Sequence, residues 1–203
     1  MGFKQTWEWK IFIDGFWHNN ASFRMMLGLC STLAVTNSLT NSLAMSLGVM
    51  FVSTSSSTIV SLMRRIIPPR VRMAVFMMVI STFTIVVDQV LRAYYPAISV
   101  ALGPYVGLII TNCIIMGRVE AFAVSNPLIP SIVDALGVSS GYAFSLLLIA
   151  GVRELMGFGA LFGVTVLGSW WTPWVIMILA PGAFFVLGLY IWLLRSLFRE
   201  VPR

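Results

Sequence analysis

The chain has 203 residues, 59% of them apolar and only 10% charged, with a mean hydropathy of +0.93; soluble domains are about 45–50% apolar and about 25% charged. This balance excludes an ordinary soluble enzyme, a disordered chain and a large extramembrane domain. The net charge of +6 is the excess of thirteen Lys and Arg over seven Asp and Glu; the basic residues sit in short clusters between apolar runs, which is the pattern of membrane topology rather than of a continuous nucleic-acid-binding face.

A membrane-spanning helix needs about 20 apolar residues, and the chain divides into six apolar runs. Residues 1–22 form a mixed segment in which Trp7, Trp9 and Trp17 suit the membrane interface; His18 lies there with no acidic or thiol partner at a useful spacing. The first run, 23–35, stops at Thr36-Asn37-Ser38 and is too short to span. A full-length segment follows over 39–63, closed by Arg64, Arg65 and Pro68-Pro69. It holds six consecutive hydroxyl residues from Ser53 to Thr58, read as helix packing in preference to an ion or water path. A third segment, 71–93, carries Asp88 and ends at Tyr94-Tyr95-Pro96. After 97–102 comes a predicted break at Gly103-Pro104 and a second short run, 105–117, closed by Arg118 and Glu120. Residues 119–138 contain Pro127, Pro130, Asp134 and Gly137, which predicts a long loop or surface helix. The fifth segment, 139–158, carries Arg153 and Glu154, and the sixth, 174–194, lies between a Trp170-Trp171 belt and the arginines 195, 199 and 203.

The two short runs match in length, in the polar break that follows and in the depth of their single cysteines, Cys30 and Cys113. Each precedes a full segment with an acid toward its end, Asp88 or Glu154. This predicts an all-α integral membrane protein: six transmembrane segments in two inverted three-helix repeats, the first and fourth segments being half-helices. The first repeat covers 23–96 and the second 97–195, with a tail at 196–203. With both termini in the cytoplasm, nearly all the basic residues fall inside and Arg92 outside.

Cys30 and Cys113 are expected to meet near the midplane. A buried cysteine is ordinarily a small apolar filler; a disulfide and a soft metal site are the other readings, and an iron-sulfur cluster would need two further thiolates from another chain. Asp88 stands four residues before Arg92, as in a helical ion pair, and Arg153 is expected to snorkel to the interface. Asp88 and Glu154 are candidate members of an ion path, because ionisable groups at membrane depth are costly. No phosphate loop or dinucleotide fingerprint is present in the sequence, and no bound nucleotide or flavin is expected.

At these residues the chain resembles a known family. The segment 107–123 with Thr111-Asn112-Cys113 and Gly117-Arg118-Val119-Glu120, the element 27–36 around Cys30, and 152–163 around Arg153-Glu154 are similar to the D-type subunits of sodium-translocating NADH:quinone reductases. The wider family includes the E-type subunits of Rnf electron-transport complexes, the near alternative. The resemblance implies a bacterial inner-membrane subunit, not catalytic alone, of a six-subunit translocase. It also implies a homologous membrane partner, the E-type subunit of the reductase, whose two cysteines would complete a 2Fe-2S cluster with Cys30 and Cys113 within the lipid membrane. No nucleic acid partner is implied. A secondary transporter with merely packing cysteines is the reading from a different class.

Overall fold

The computed structural model describes residues 11–12, 27–161, 164–165 and 174–197. The expectations on His18, the N-terminal tryptophans, Trp170-Trp171 and the last arginines lie outside these residues. The described chain is helical, apart from a minimal antiparallel hairpin of β1 (Ala160–Leu161) and β2 (Val164–Thr165). In chain order the helices are α1 (Leu29–Val35), α2 (Leu39–Met63), α3 (Arg72–Tyr94), α4 (Pro96–Ile110), α5 (Cys113–Arg118), α6 (Leu128–Phe158), α7 (Val175–Ile178) and α8 (Ala180–Leu197). A π-helical turn, Val119–Ala123, prolongs α5.

Among the described residues four stretches are long and apolar enough to cross a membrane: Leu39–Met63, Arg72–Tyr94, Gly103–Ala123 and Leu128–Phe158. A shorter apolar stretch, Pro181–Leu193, lies in α8. The chain is a multi-pass membrane protein. Helices α2 and α6 pair most extensively and form the core, where Val49, Val52, Tyr142 and Leu146 are sealed with Phe76 and Ile80 of α3. Much of α3 and α8 shows large apolar side chains on the outside, including Met78, Phe185 and Trp192, as expected where lipid or another membrane subunit is the solvent.

Helix α2 occupies the expected 39–63 span. Three of the six hydroxyls of 53–58 turn inward on their own backbone: Thr54 donates to the Met50 carbonyl at 2.8 Å, Thr58 to that of Thr54 at 2.7 Å and Ser56 to that of Ser53 at 3.2 Å, whereas Ser53 Oγ is buried with no partner among the described residues. Such bonds satisfy hydroxyls without an outside partner. Ser61 instead reaches across to the Asn126 carbonyl at 3.0 Å.

Three expectations are corrected. Residues 128–138 are neither a loop nor a surface helix but the first third of the 31-residue α6, with Ser131, Asp134, Ala135 and Gly137 buried. Pro127 caps that helix and Pro130 stands in its first turn, where a missing amide costs no intrahelical bond. Gly103-Pro104 is no break, since α4 runs through it; interior prolines are tolerated where membrane-helix packing and local adjustment compensate. The sixth segment is interrupted at Leu179, between α7 and α8. The real interruption of the second short run is at Thr111-Asn112, immediately before Cys113.

Candidate functional site

Both cysteines stand at the start of a short helix rather than deep within one. Cys30 is the second residue of α1, after Gly28, and Cys113 opens α5, after Asn112. The two short helices run toward opposite ends of the bundle. Helix α1 ends at Thr36, beside the end where α2 begins: Arg153 donates to the Thr36 hydroxyl, and Glu154 accepts the Leu39 amide at 2.6 Å. Helix α5 runs instead toward the end where α2 finishes, since Glu120 in its π-helical extension meets Arg72 at 3.1 Å.

At the shared origin of α1 and α5 the broken backbones touch. The Gly28 amide donates to Cys113 Sγ at 2.8 Å, two residues before Cys30. Gly28 sits at φ 76°, and a Cβ there would lie 2.4 Å from Ile114 Cδ1 and 3.3 Å from Tyr142 Cε2. Only glycine fits both that backbone conformation and that space. Asn112 caps α5, its Oδ1 accepting the Ile114 amide at 3.0 Å. Its Nδ2 lies 3.4 Å from Ser31 Oγ, which is also 2.7 Å from the Tyr142 hydroxyl. Cys113 is half-buried, whereas Cys30 is exposed on the surface of this chain.

This arrangement fits half of an iron-sulfur site. It offers two soft donors, one receiving an N–H···S hydrogen bond of the kind that tunes such clusters, the other open to ligands from a second chain. Among the described residues no three His, Cys, Asp or Glu stand together as a metal-holding group.

The charged residues follow the sequence expectations only in part. Asp88 pairs with Arg92 at 2.8 Å, as the i,i+4 spacing predicts. Beside it, lined also by Ala44, Met45, Thr84, Val87 and Leu91, is a cavity of about 10 Å³, room for roughly one water-sized guest. Arg153 does not snorkel. It is buried, bonded to Thr36 and to the carbonyls of Met177 and Leu179 at 3.2 and 3.3 Å, so the junction of α7 and α8 supplies acceptors that hold the guanidinium inside; the Leu179 carbonyl also accepts the Gly182 amide at 3.1 Å. Glu154 is equally buried and caps α2 through Leu39.

Sequence reasoning misses the pair of Arg118 and Asp134. Arg118 Nε donates to Asp134 Oδ2 at 3.0 Å and Nη2 to Oδ1, a fork of two bonds with both side chains less than a tenth exposed. The Arg118 guanidinium also lies 5.5 Å from the centre of the Phe122 ring. The available signal is an acid, Asp134, set among the apolar residues 128–138 sixteen positions after Arg118, which a buried-helix reading of 128–138 would leave in need of a cationic partner.

A helical bundle with several membrane-length helices and a backbone contact between its interrupted segments beside Cys113 defines an integral membrane protein. The sequence pattern of the family described as Rnf-Nqr subunit, membrane protein, matches residues 8–191, and the chain belongs to that family. It is 49% identical to the D-type subunit of the Na(+)-translocating NADH-quinone reductase of Yersinia pestis (strain Pestoides F), over 193 residues that make up 93% of this chain and 92% of the relative. The corresponding protein of Yersinia pseudotuberculosis serotype O:1b (strain IP 31758) matches to the same extent. That of Yersinia enterocolitica serotype O:8 / biotype 1B (strain NCTC 13174 / 8081) is 48% identical over 193 residues, again 93% of this chain and 92% of the relative.

Proposed function

We propose that this chain is the D-type membrane subunit of a sodium-translocating NADH:quinone reductase and carries electrons through the membrane by way of Cys30 and Cys113. The observation that carries the reading is the meeting of the two interrupted segments at the thiols, with Gly28 donating to Cys113. Near 49% identity to D-type subunits over almost the full length supports the particular complex over an Rnf-type one.

In this reading the chain is an inner-membrane protein built as two inverted repeats, 23–96 and 97–195, with both termini cytoplasmic. The opposed directions of α1 and α5 support the inversion, and it lets one chain present two equivalent thiols at one depth. A homologous E-type subunit supplies the other two cysteines of a 2Fe-2S cluster, and the exposure of Cys30 is what that partnership requires. When bound, the cluster supplies a one-electron relay between the redox subunits on the two sides. The chain's own residues hold the thiolates, pack Ile114 and Tyr142 against Gly28, and donate to the Cys113 sulfur from the Gly28 amide.

Purification of the assembled complex, followed by iron analysis and EPR of the reduced state, tests this. Cys30→Ala and Cys113→Ala should each abolish the signal and the associated iron; a signal that survives either replacement overturns the reading. Asp88 and Glu154 are proposed members of the sodium route, on the grounds of their depth and, for Asp88, the adjoining cavity. Asp88→Asn and Glu154→Gln should lower sodium uptake per quinone reduced, and unchanged coupling in both removes them from the route.

A further inference from the structure

Resting on the cluster reading above, we infer that Tyr142 and Asn112, acting through Ser31, are positioning residues that hold the Gly28 amide on the Cys113 sulfur and so set the reduction potential of the thiolate-bound centre. The hydrogen bonds around Ser31 leave its hydroxyl no freedom. Ser31 Oγ donates its single proton to the Gly28 carbonyl at 2.9 Å, so the Tyr142 hydroxyl at 2.7 Å is the donor in their shared bond. The Asn112 amide at 3.4 Å takes the remaining acceptor position. One donor and two acceptor sites are the whole capacity of a hydroxyl.

All three side chains are sealed from solvent: Tyr142 is 0%, Ser31 2% and Asn112 3% exposed. Buried and fully satisfied, such a network is rigid, because any rearrangement would strand a polar group without water. Its placement gives it a role. Ser31 follows Cys30 and Asn112 precedes Cys113, so one network ties together the backbone beside both thiols. Gly28 is clasped at its carbonyl by Ser31 and by the Thr32 hydroxyl at 2.9 Å, while its amide faces Cys113 Sγ at 2.8 Å. A donor aimed at sulfur favours the more negative, reduced state, and hydrogen bonds to the sulfurs are among the determinants of cluster potential. Loosening the network therefore lowers the potential.

The test uses the assembled complex carrying Tyr142→Phe, which keeps the packed ring and removes only the hydroxyl, and Ser31→Ala, which removes the hub. Iron content, the EPR spectrum and a redox titration are read for each. The expected result is retained iron, shifted g-values and a potential lower by about a tenfold change in the oxidised-to-reduced ratio, ~59 mV for one electron. The double variant should move little beyond Ser31→Ala, since both changes break the same bond. If Ser31→Ala fails to assemble, Tyr142→Phe decides alone. Retained iron with unmoved potential and spectrum overturns the inference, as does loss of iron or of the subunit in both variants, because a tuning contact leaves the centre in place. A native complex with neither iron nor signal removes the cluster reading itself; an iron-bearing complex with unmoved variants removes only this inference.

Discussion

Arg118 and Asp134 show what a charge costs at membrane depth and what makes it tolerable. Each alone would stand desolvated in an apolar bundle, where ionisable groups carry a heavy penalty. Together they form a two-bond fork between α5 and α6 with both side chains under a tenth exposed. The attraction mainly repays desolvation, so the fork fixes geometry more than it adds stability. Removing Arg118 is a different matter, since it takes the opposite charge and two hydrogen bonds from a buried carboxylate. Arg118→Ala should destabilise the subunit by about 3–5 kcal/mol, read as a lower thermal midpoint in detergent and reduced yield of assembled complex. Arg118→Met combined with Asp134→Leu should recover most of that loss. If the single replacement is silent, Asp134 has another source of compensation and the fork is dispensable.

At the scale of elements, the interruptions are held by side chains from elsewhere in the chain. Helix α2 begins at Leu39 after the Thr36-Asn37-Ser38 break, and no side chain of Ser38 caps it. Glu154 of α6 does so instead, 115 positions away in sequence, while its neighbour Arg153 serves Thr36 and the Met177 and Leu179 carbonyls at the junction of α7 and α8. Two adjacent charges thus fasten two interruptions. Glu154→Gln retains an acceptor for the Leu39 amide and should cost under about 1.5 kcal/mol, whereas Glu154→Leu strands that amide and should cost about 1–3 kcal/mol. Chemical or thermal denaturation of the detergent-solubilised complex distinguishes them; equal losses would show that the cap is not the source. The same contrast explains what is legible in the sequence. The span 39–63 is legible because apolar continuity, a polar break at one end and Arg64-Arg65 at the other are local signals. The start of α6 is not, because Pro130, Asp134 and Gly137 are breakers only in isolation. Asp134 is answered by Arg118, and Gly137 lies so close to the Phe12 backbone that a Cβ would come within 2.9 Å of its carbonyl oxygen. The cysteines stand out in the sequence by their matched positions, but the break immediately before Cys113 is hidden inside an apolar run. Its one local signal is Asn112, a good helix cap standing between apolar stretches.

Across the whole molecule, a few contacts sort the loops onto two sides. Arg72 reaches Glu120 and Ser61 reaches Asn126, so the loop 64–71, the end of the π-helical turn and the start of α6 share one end of the bundle. Glu154 reaches Leu39 and Arg153 reaches the break before α8, so the starts of α2 and α8 share the opposite end with the end of α6. Arg64, Arg65, Arg70, Arg72 and Arg118 gather at or near the first end, while Arg92, paired with Asp88, stands on the last turn of α3 at the second. Helix α8 runs from the second end back toward the first, with Arg195 in its last turn. Basic residues remain cytoplasmic during insertion, so the proposed orientation follows from this sorting: the 64–71 loop and the C-terminus inside, the Tyr94-Tyr95 turn outside. Alkaline phosphatase joined after Tyr95 should be active, and the same enzyme joined within 64–71 or to Arg203 inactive, with green fluorescent protein giving the reciprocal result. An inactive Tyr95 fusion with an active one at 64–71 would invert the subunit. That inversion would leave the sorting of the loops onto two ends intact, because the contacts fix only which segments lie together, and would overturn the charge argument alone by placing the arginine-rich loops and the Arg118 fork on the far side from the cytoplasm.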